Sequence, residues 1–202
     1  IHINFPTLLS EKSRNYKLKQ FIHVSALGIE KAIDSEYAKS KLKGEKNILN
    51  NFSSSVILRP SLVYSVNDNF TTNIMTLLSL LPVFPLYYNG NTKFSPMHVT
   101  DFCEIITKII DKSIFSEIIE CVGPEKLSFK EIIKKLLIAI DKKTFLLPVP
   151  TFFAKIIAFF LEKLPTPLIT QDQLKLLKYD NILSKQNKSN IDIGFKASRK
   201  FD

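Results

Sequence analysis

Short apolar runs alternate with longer amphipathic stretches along most of this chain. The runs "FIHVS", "SVILRP" and "SEIIECVG" have the length of buried strands and predict strands at residues 21–25, 55–60 and 116–123. The stretch "TFLLPVP" predicts a further extended segment. Apolar positions three and four residues apart predict helices, at residues 6–18, 35–50, 73–81, 100–111, 128–140, 151–164 and 170–178.

Polar residues at the starts of predicted helices support these boundaries. Ser128 lies three residues before Glu131, and Thr170 lies three residues before Gln173, which is the spacing of a capping box. Thr100 or Asp101 is expected to cap the helix at residues 100–111, because short polar side chains accept hydrogen bonds from free helix N–H groups. The tail from residue 181 is polar, and we expect it to be irregular.

Strands that alternate with helices predict an α/β fold with a parallel sheet covered on both faces. The first two strands and the helix between them fit a βαβ unit over residues 21–60. We expect a sheet-bearing part at residues 1–65 and a smaller, mostly helical lobe with short strands at residues 66–202. The first part supplies only two strands where about five are usual, so part of the expected sheet is missing.

Composition narrows the classes of partner. A hydrophobic content of 45% over 202 residues supports a folded core, and the formal charge of +9 raises the question of nucleic acid or membrane binding. The lysines are scattered, arginine is scarce, and no basic run is interleaved with aromatic residues, so we expect no nucleic-acid binding. A cationic face that binds acidic lipid stays an alternative interpretation of the charge.

The cysteines and histidines indicate neither a disulfide nor a metal site. Cys103 and Cys121 lie far apart and read as reduced thiols of a cytoplasmic-type compartment, and the three histidines form no ligand cluster. The first residues lack the pattern of a signal peptide. No apolar run reaches the length of about 18 residues that a transmembrane helix needs.

One short stretch, "SEYAKSKLKGE", carries candidate chemistry. Tyr37 and Lys41 are four residues apart and would share a helix face, and Ser25 ends the preceding strand. A phenol titrates near pH 10, and an ammonium about 4 Å away supplies about 4 kcal/mol toward lowering its pKa to neutral pH. The alternative is a purely structural role, in which Ser25 acts as a cap, Tyr37 packs against other side chains and Lys41 is exposed to solvent. A lysine-rich chain yields a tyrosine and a lysine four residues apart by chance.

The order of four motifs resembles the extended short-chain dehydrogenase/reductase superfamily. These are "FIHVSALG", "YAKSKLKGE", "ILRPSLVY" and "GNTKFSPMHVTD". The chain is most similar to the atypical branch that includes the nucleotide-binding accessory subunit of respiratory complex I, and "PTPLITQDQLKLLKYDNILS" resembles the end of that branch. The resemblance implies the C-terminal part of a Rossmann-type parallel sheet plus the smaller helical lobe.

The resemblance assigns roles to particular residues. Ser25, Tyr37 and Lys41 match the catalytic positions of the family and also its cofactor-binding positions. Pro60 and Leu62 match the stretch that borders the nicotinamide. The implied cofactor is NADP or NAD.

Three features of the sequence differ from the family pattern or have a second interpretation. Ser65 stands where the family often has glycine, which affects a local cofactor contact. Asp101 matches a frequent aspartate, although we interpret it as a helix cap. No G-x-G-x-x-G turn occurs among the five glycines, so the half that would hold the pyrophosphate is expected to be missing and dinucleotide binding by this chain alone to be weak.

The predicted helix at residues 151–164, "TFFAKIIAFFLEKL", has an apolar stripe wider than the ~100° that a soluble helix needs. It fits the core of the helical lobe. It also fits a surface docked on a membrane subunit or at the lipid interface.

Three functions follow from this sequence. The first is an NAD(P)(H)-binding protein of the complex I accessory-subunit type with a structural cofactor, located in the cytoplasm or peripherally on the inner face of a membrane, the matrix side in a eukaryote. The second is an active NAD(P)-dependent oxidoreductase or epimerase that uses Tyr37 as acid and base. The third is a truncated product that only binds a partner, such as complex I or another membrane-associated complex.

Overall fold

The computed structural model describes residues 1–150, 152 and 170–202. The helices are α1 Asn4–Asn15, α2 Glu36–Asn51, α3 Asn69–Leu80, α4 Val99–Asp111, α5 Phe129–Ala139 and α6 Gln171–Leu176, with a 3-10 turn at Tyr88–Gly90. The strands are β1 Ile22–Val24, β2 Val56–Pro60, β3 Val63–Tyr64, β4 Val83–Tyr87, β5 Lys93–Phe94, β6 Met97–His98, β7 Glu117–Cys121, β8 Leu127–Ser128, β9 Phe145–Val149 and β10 Lys188–Ser189.

The main sheet has the strand order β1-β2-β7-β10, and each neighbouring pair is parallel. Every residue of β2 is buried, which explains its apolar run Val56–Leu58. Helix α4 packs Ile105 and Ile109 against Val56, Leu58 and Ile119 of the sheet. The predicted α/β fold with a parallel sheet and the βαβ unit β1-α2-β2 are therefore confirmed.

The C-terminal tail is more ordered than its polar composition predicts. β10 pairs with β7 in the main sheet, and Ile193, Ala197 and Phe201 are buried in the two larger cores. The expectation of an irregular tail holds for most of its length, with the strand Lys188–Ser189 as the departure. The polar side chains of the tail are bonded to buried groups elsewhere in the fold, and a pattern based on hydrophobicity does not detect such bonds.

The second half of the chain contributes to both parts of the fold. Two-stranded sheets β3-β6, β4-β9 and β5-β8 surround a core in which α3 and α5 pack together, while β7 and β10 return to the main sheet. The division at residue 65 stays a prediction, and the main sheet draws strands from both sides of it. This return brings residues after position 170 close to the ends of β1 and β2.

Most of the predicted helix starts agree with the structure. Ser128 and Thr170 each form a capping box, and Ser35 accepts a hydrogen bond from the N–H of Ala38 at the start of α2. The expectation that Thr100 or Asp101 caps α4 is wrong, because His98 is the capping residue. Asp101 is buried instead and accepts hydrogen bonds from Arg199 and from the N–H of Ser198.

The helix predicted at residues 151–164 lies outside the described residues, apart from Phe152. Among the helices that the structure describes, none is long and apolar enough to cross a bilayer.

A buried ion pair joins the central strand to α2. The guanidinium of Arg59 donates to both carboxylate oxygens of Glu45, at 3.0 and 2.5 Å, and also bonds to Glu30. The side chains of Arg59 and Glu45 are 5% and 4% exposed, so this pair lies in the interior. Removing one partner of such a pair leaves the other charge buried without compensation.

We expect Glu45→Gln to lower the free energy of unfolding by about 3 kcal/mol, near the low end for a buried pair because Glu30 still pairs with Arg59. Chemical denaturation measures this change. Glu36→Gln on the same helix is the matched control, since Glu36 pairs with Lys39 at the surface and its side chain is 77% exposed. Equal losses in the two variants would contradict a structural role for the buried pair.

Candidate functional site

The candidate site lies where β1 and β2 end, at the carboxyl edge of the main sheet. The two strands continue to pair beyond β1, because the N–H of Ser25 bonds to the carbonyl of Leu58 at 2.7 Å and the N–H of Leu27 bonds to that of Pro60 at 2.9 Å. The chain then turns at Gly28, whose φ of +77° favours glycine. Ligands of open α/β sheets bind at this edge.

Ser25 is buried directly after β1, and its hydroxyl Oγ has no hydrogen-bond partner within the described structure. It therefore does not act as a cap, which was the alternative to a functional role. A buried hydroxyl without a partner costs about 1–3 kcal/mol. Ser25 lines neither of the two cavities beside it, so its hydroxyl is covered by the surrounding chain.

Tyr37 lies in the first turn of α2 and is half-buried. Its ring meets the ring of His2 edge-on at 5.1 Å between centres and packs beside the small cluster formed by Ile29, Ala32 and Ala38. Tyr37 lines a cavity of about 660 Å³ together with Pro60 and Leu62. Three of the five predicted site residues therefore share one cavity.

Lys41 lies one turn after Tyr37 but faces a different space. Its Nζ donates to the carbonyl of Val24 at 3.2 Å and lies 5.8 Å from the centre of the Tyr37 ring. Lys41 lines a second, smaller cavity with His2 and His23, and it does not line the cavity of Tyr37. Its bond to Val24 still places it beside Ser25, the next residue in the chain.

The electrostatics of Tyr37 differ from the sequence-based expectation. Burial raises the pKa of Tyr37 above its usual value, and burial also lowers the pKa of Lys41. The prediction that a closely held Lys41 brings the tyrosine toward neutral pH does not apply in this structure, because the ammonium lies 5.8 Å from the centre of the ring and burial raises the pKa of Tyr37. In this arrangement Tyr37 is a neutral phenol, which can donate or accept a hydrogen bond.

Asn181, which the sequence reasoning missed, joins three loops around the site. Its Nδ2 donates to the carbonyl of Leu27, the Ser61 hydroxyl donates to its backbone and side-chain oxygens, and its N–H bonds to the carbonyl of Lys93. It thereby connects the segments that follow β1 and β2 with β5. No local pattern marks it, because these partners are 88 to 154 residues away in the chain.

Asp172, also missed, adds a second cap to α2. Its carboxylate accepts hydrogen bonds from the Ser35 hydroxyl at 2.8 Å and from the N–H groups of Glu36 and Tyr37 at 3.0 and 2.9 Å. Burial acts to raise the pKa of Asp172, but these hydrogen bonds and the nearby Lys175 outweigh it and leave the pKa below its usual value. The capping box at Thr170 predicts α6, but it does not predict that Asp172 would reach another helix.

His23, in the middle of β1, lies in the smaller cavity. Burial lowers the pKa of His23, and the nearby Lys41 lowers it further, while Glu45 acts in the opposite direction. The Nε2 atom of His23 is buried and has no hydrogen-bond partner within the described structure. Across residues 1–150, 152 and 170–202, no group of three histidine, cysteine or acidic residues could hold a metal ion.

The chain is similar in sequence to subunits of mitochondrial NADH dehydrogenase. It is 25% identical over 201 residues to the NADH-ubiquinone oxidoreductase 40 kDa subunit of Neurospora crassa, an alignment that covers 98% of this chain and 52% of the relative. It is 23% identical over 186 residues to the NADH dehydrogenase (ubiquinone) 1 alpha subcomplex subunit 9 of Mus musculus, covering 91% and 49%. The chain thus spans about half the length of these curated relatives. No protein-family model matches it.

Its fold is similar to that of nucleotide-sugar enzymes. A dTDP-glucose 4,6-dehydratase from Streptomyces venezuelae, solved with NAD, has a TM-score of 0.65 at 16% identity, covering 97% of this chain and 60% of that one. A UDP-glucuronic acid 4-epimerase from Bacillus cereus, solved with UDP-glucuronic acid and NAD, has a TM-score of 0.61 at 21% identity, covering 96% and 65%. The Rossmann-type fold and the resemblance to the atypical extended short-chain dehydrogenase/reductases are confirmed.

We expect acid to destabilise the fold because of His23. Its pKa is lowered in the folded state, so the unfolded chain binds protons more readily below about pH 6.5, and stability is lost as the pH falls below that value. Between pH 7.5 and 5.5, chemical denaturation should show a smaller loss of unfolding free energy for His23→Gln than for the unchanged protein. His2→Gln should have a weaker effect, since His2 is less buried. An identical pH dependence in His23→Gln would disprove this role.

Proposed function

We propose that this chain is the site-bearing part of a dinucleotide-binding protein of the complex I accessory-subunit type, with the cofactor used structurally. The similarity to mitochondrial NADH dehydrogenase subunits supports this partner, and the fold supports the dinucleotide. We infer that the protein acts peripherally on the inner face of a membrane, the matrix side in a eukaryote. The scattered lysines suit such a surface.

The observation that carries a structural role is the separation of the Lys41 ammonium from the cavity that Tyr37 lines. Proton exchange near neutral pH needs a phenol whose pKa is lowered, but burial raises this one, and the nearest ammonium is bonded to the carbonyl of Val24. A neutral phenol and a lysine that donates hydrogen bonds are suited to holding a ribose. This favours a bound cofactor that is not turned over.

The residues present fit one end of a dinucleotide. Tyr37 would hold the nicotinamide ribose, with Pro60 and Leu62 beside the ring, since these three line one cavity. Lys41 would join them after its ammonium leaves the carbonyl of Val24, and Ser25 after its hydroxyl is uncovered. The pyrophosphate end needs backbone N–H groups at a glycine-rich turn, and the sequence contains no such turn. We therefore propose that these 202 residues supply only the nicotinamide end.

The second candidate function is an active NAD(P)-dependent oxidoreductase or epimerase. The observation that favours it is the Ser25 hydroxyl, which is buried without a partner and would bond a substrate oxygen. In this reading Tyr37 would exchange a proton with that oxygen, and Lys41 would have to move from Val24 toward the phenol. The nicotinamide would supply or accept the hydride when bound.

These 202 residues alone should bind dinucleotide weakly, with NADH and NADPH each above the micromolar range. Each charge-assisted phosphate contact contributes about 1.5–3 kcal/mol, and losing two or three weakens binding by several powers of ten. Calorimetric titration of the 202-residue chain measures this. A dissociation constant at or below the micromolar range would show that the pyrophosphate is held in some other way.

If the cofactor is structural, Tyr37→Phe should reduce assembly of NADH dehydrogenase only in part in cells that lack the native gene, because it removes one hydrogen bond to the cofactor and leaves the fold intact. Native gels with an activity stain compare the variant with the unchanged protein and with Asn181→Ala, which should reduce assembly because it removes the side-chain bonds to Leu27 and Ser61. Loss of substrate turnover by the full-length protein in Tyr37→Phe would favour the oxidoreductase instead. A protein that migrates alone, apart from the complex, would contradict the proposed partner.

A further inference from the structure

The cavity beside Tyr37 extends away from the sheet edge between α3, β4 and α6. Its volume of about 660 Å³ lies within the range of about 300–1,000 Å³ that is typical of small-molecule sites. Its walls are mostly apolar, and they include Phe70, Ile74, Leu77, Phe84 and Leu176. The lining therefore combines residues of both halves of the chain.

The cavity offers no fixed positive charge among its described lining residues, which include no lysine, arginine or histidine. Its two carboxylates already have partners within the chain, since Asp172 caps α2 and Asp180 accepts from the N–H of Lys93 at 2.8 Å. A nucleoside diphosphate carries negative charge that needs cations or free N–H groups. The N-terminus of α2, which could have supplied free N–H groups, is occupied by Asp172.

We propose that this cavity binds the alkyl chain of an uncharged, elongated ligand, such as a fatty alcohol or an isoprenoid alcohol or carbonyl compound. The apolar walls would bury the chain, and the neutral phenol of Tyr37, which lines the same cavity, would bond the polar head. The inference uses the site of the proposed function but does not depend on dinucleotide binding. It distinguishes this chain from the structures with similar folds that were solved with nucleotide sugars.

The test is a calorimetric series with hexan-1-ol, octan-1-ol and decan-1-ol, compared with UDP-glucuronic acid. Each methylene buried in the cavity can strengthen binding up to about fourfold, so decan-1-ol should bind at least about tenfold more tightly than hexan-1-ol. UDP-glucuronic acid should not bind measurably. Binding that does not depend on chain length, or tighter binding of UDP-glucuronic acid, would overturn the proposal.

Matched variants on and beside α3 separate the cavity from general hydrophobic binding. Leu77 lines the cavity, whereas Leu80 does not and is 72% exposed. Leu77→Trp should fill the cavity and weaken decan-1-ol binding at least about tenfold, and Leu80→Trp should leave it unchanged. Leu81→Trp, at the more exposed end of the same wall, is the second filling variant if Leu77→Trp does not fold. Equal binding in the filling and control variants would overturn the proposal.

A failed dinucleotide titration leaves the alcohol series interpretable, because the two experiments use different ligands and different parts of the site. Alcohol binding together with weak dinucleotide binding is the expected joint result. Failure to assemble with NADH dehydrogenase would overturn the proposed function and leave the alcohol series unaffected, whereas absence of alcohol binding would overturn the cavity proposal alone.

Discussion

The arrangement of the candidate site depends on the hydrogen bonds of Asn181. This one residue satisfies the carbonyl of Leu27 after β1, the hydroxyl of Ser61 after β2 and the carbonyl of Lys93 in β5. Backbone groups at strand ends need such partners when they are removed from water. Asn181 holds the segment that includes α6, together with Asp172, which bonds to α2, and Asp180, which accepts from the N–H of Lys93.

Burial sets the chemical character of the site. The interior disfavours charge, so it raises the pKa of Tyr37 and lowers that of Lys41, and the hydrogen bond from Lys41 to Val24 holds the ammonium away from the phenol. The result is a neutral, hydrogen-bonding rim beside an apolar cavity. Such a rim suits ligand binding better than proton transfer, unless Lys41 changes its partner.

Buried carboxylates secure the polar tail on the rest of the fold. Glu120 in β7 accepts hydrogen bonds from the N–H of Ser184 at 2.7 Å and from the side chain of Asn187 at 3.0 Å, and Asp101 bonds to Arg199. Arg59 and Glu45 form the corresponding pair under α2. Each of these charges is buried only because it has a partner, so the tail and the sheet stabilise one another.

The sequence by itself determined the parallel α/β architecture, the placement of most helices and the family resemblance. These features depend on local periodicity and capping, which are written in neighbouring residues, as at Ser128 and Glu131. Only the tertiary structure decided the surroundings of Ser25, the separation of Lys41 from the cavity of Tyr37, and the roles of Asp172 and Asn181. Those depend on contacts between residues far apart in the chain and on burial, and neither leaves a periodic signal in a single sequence.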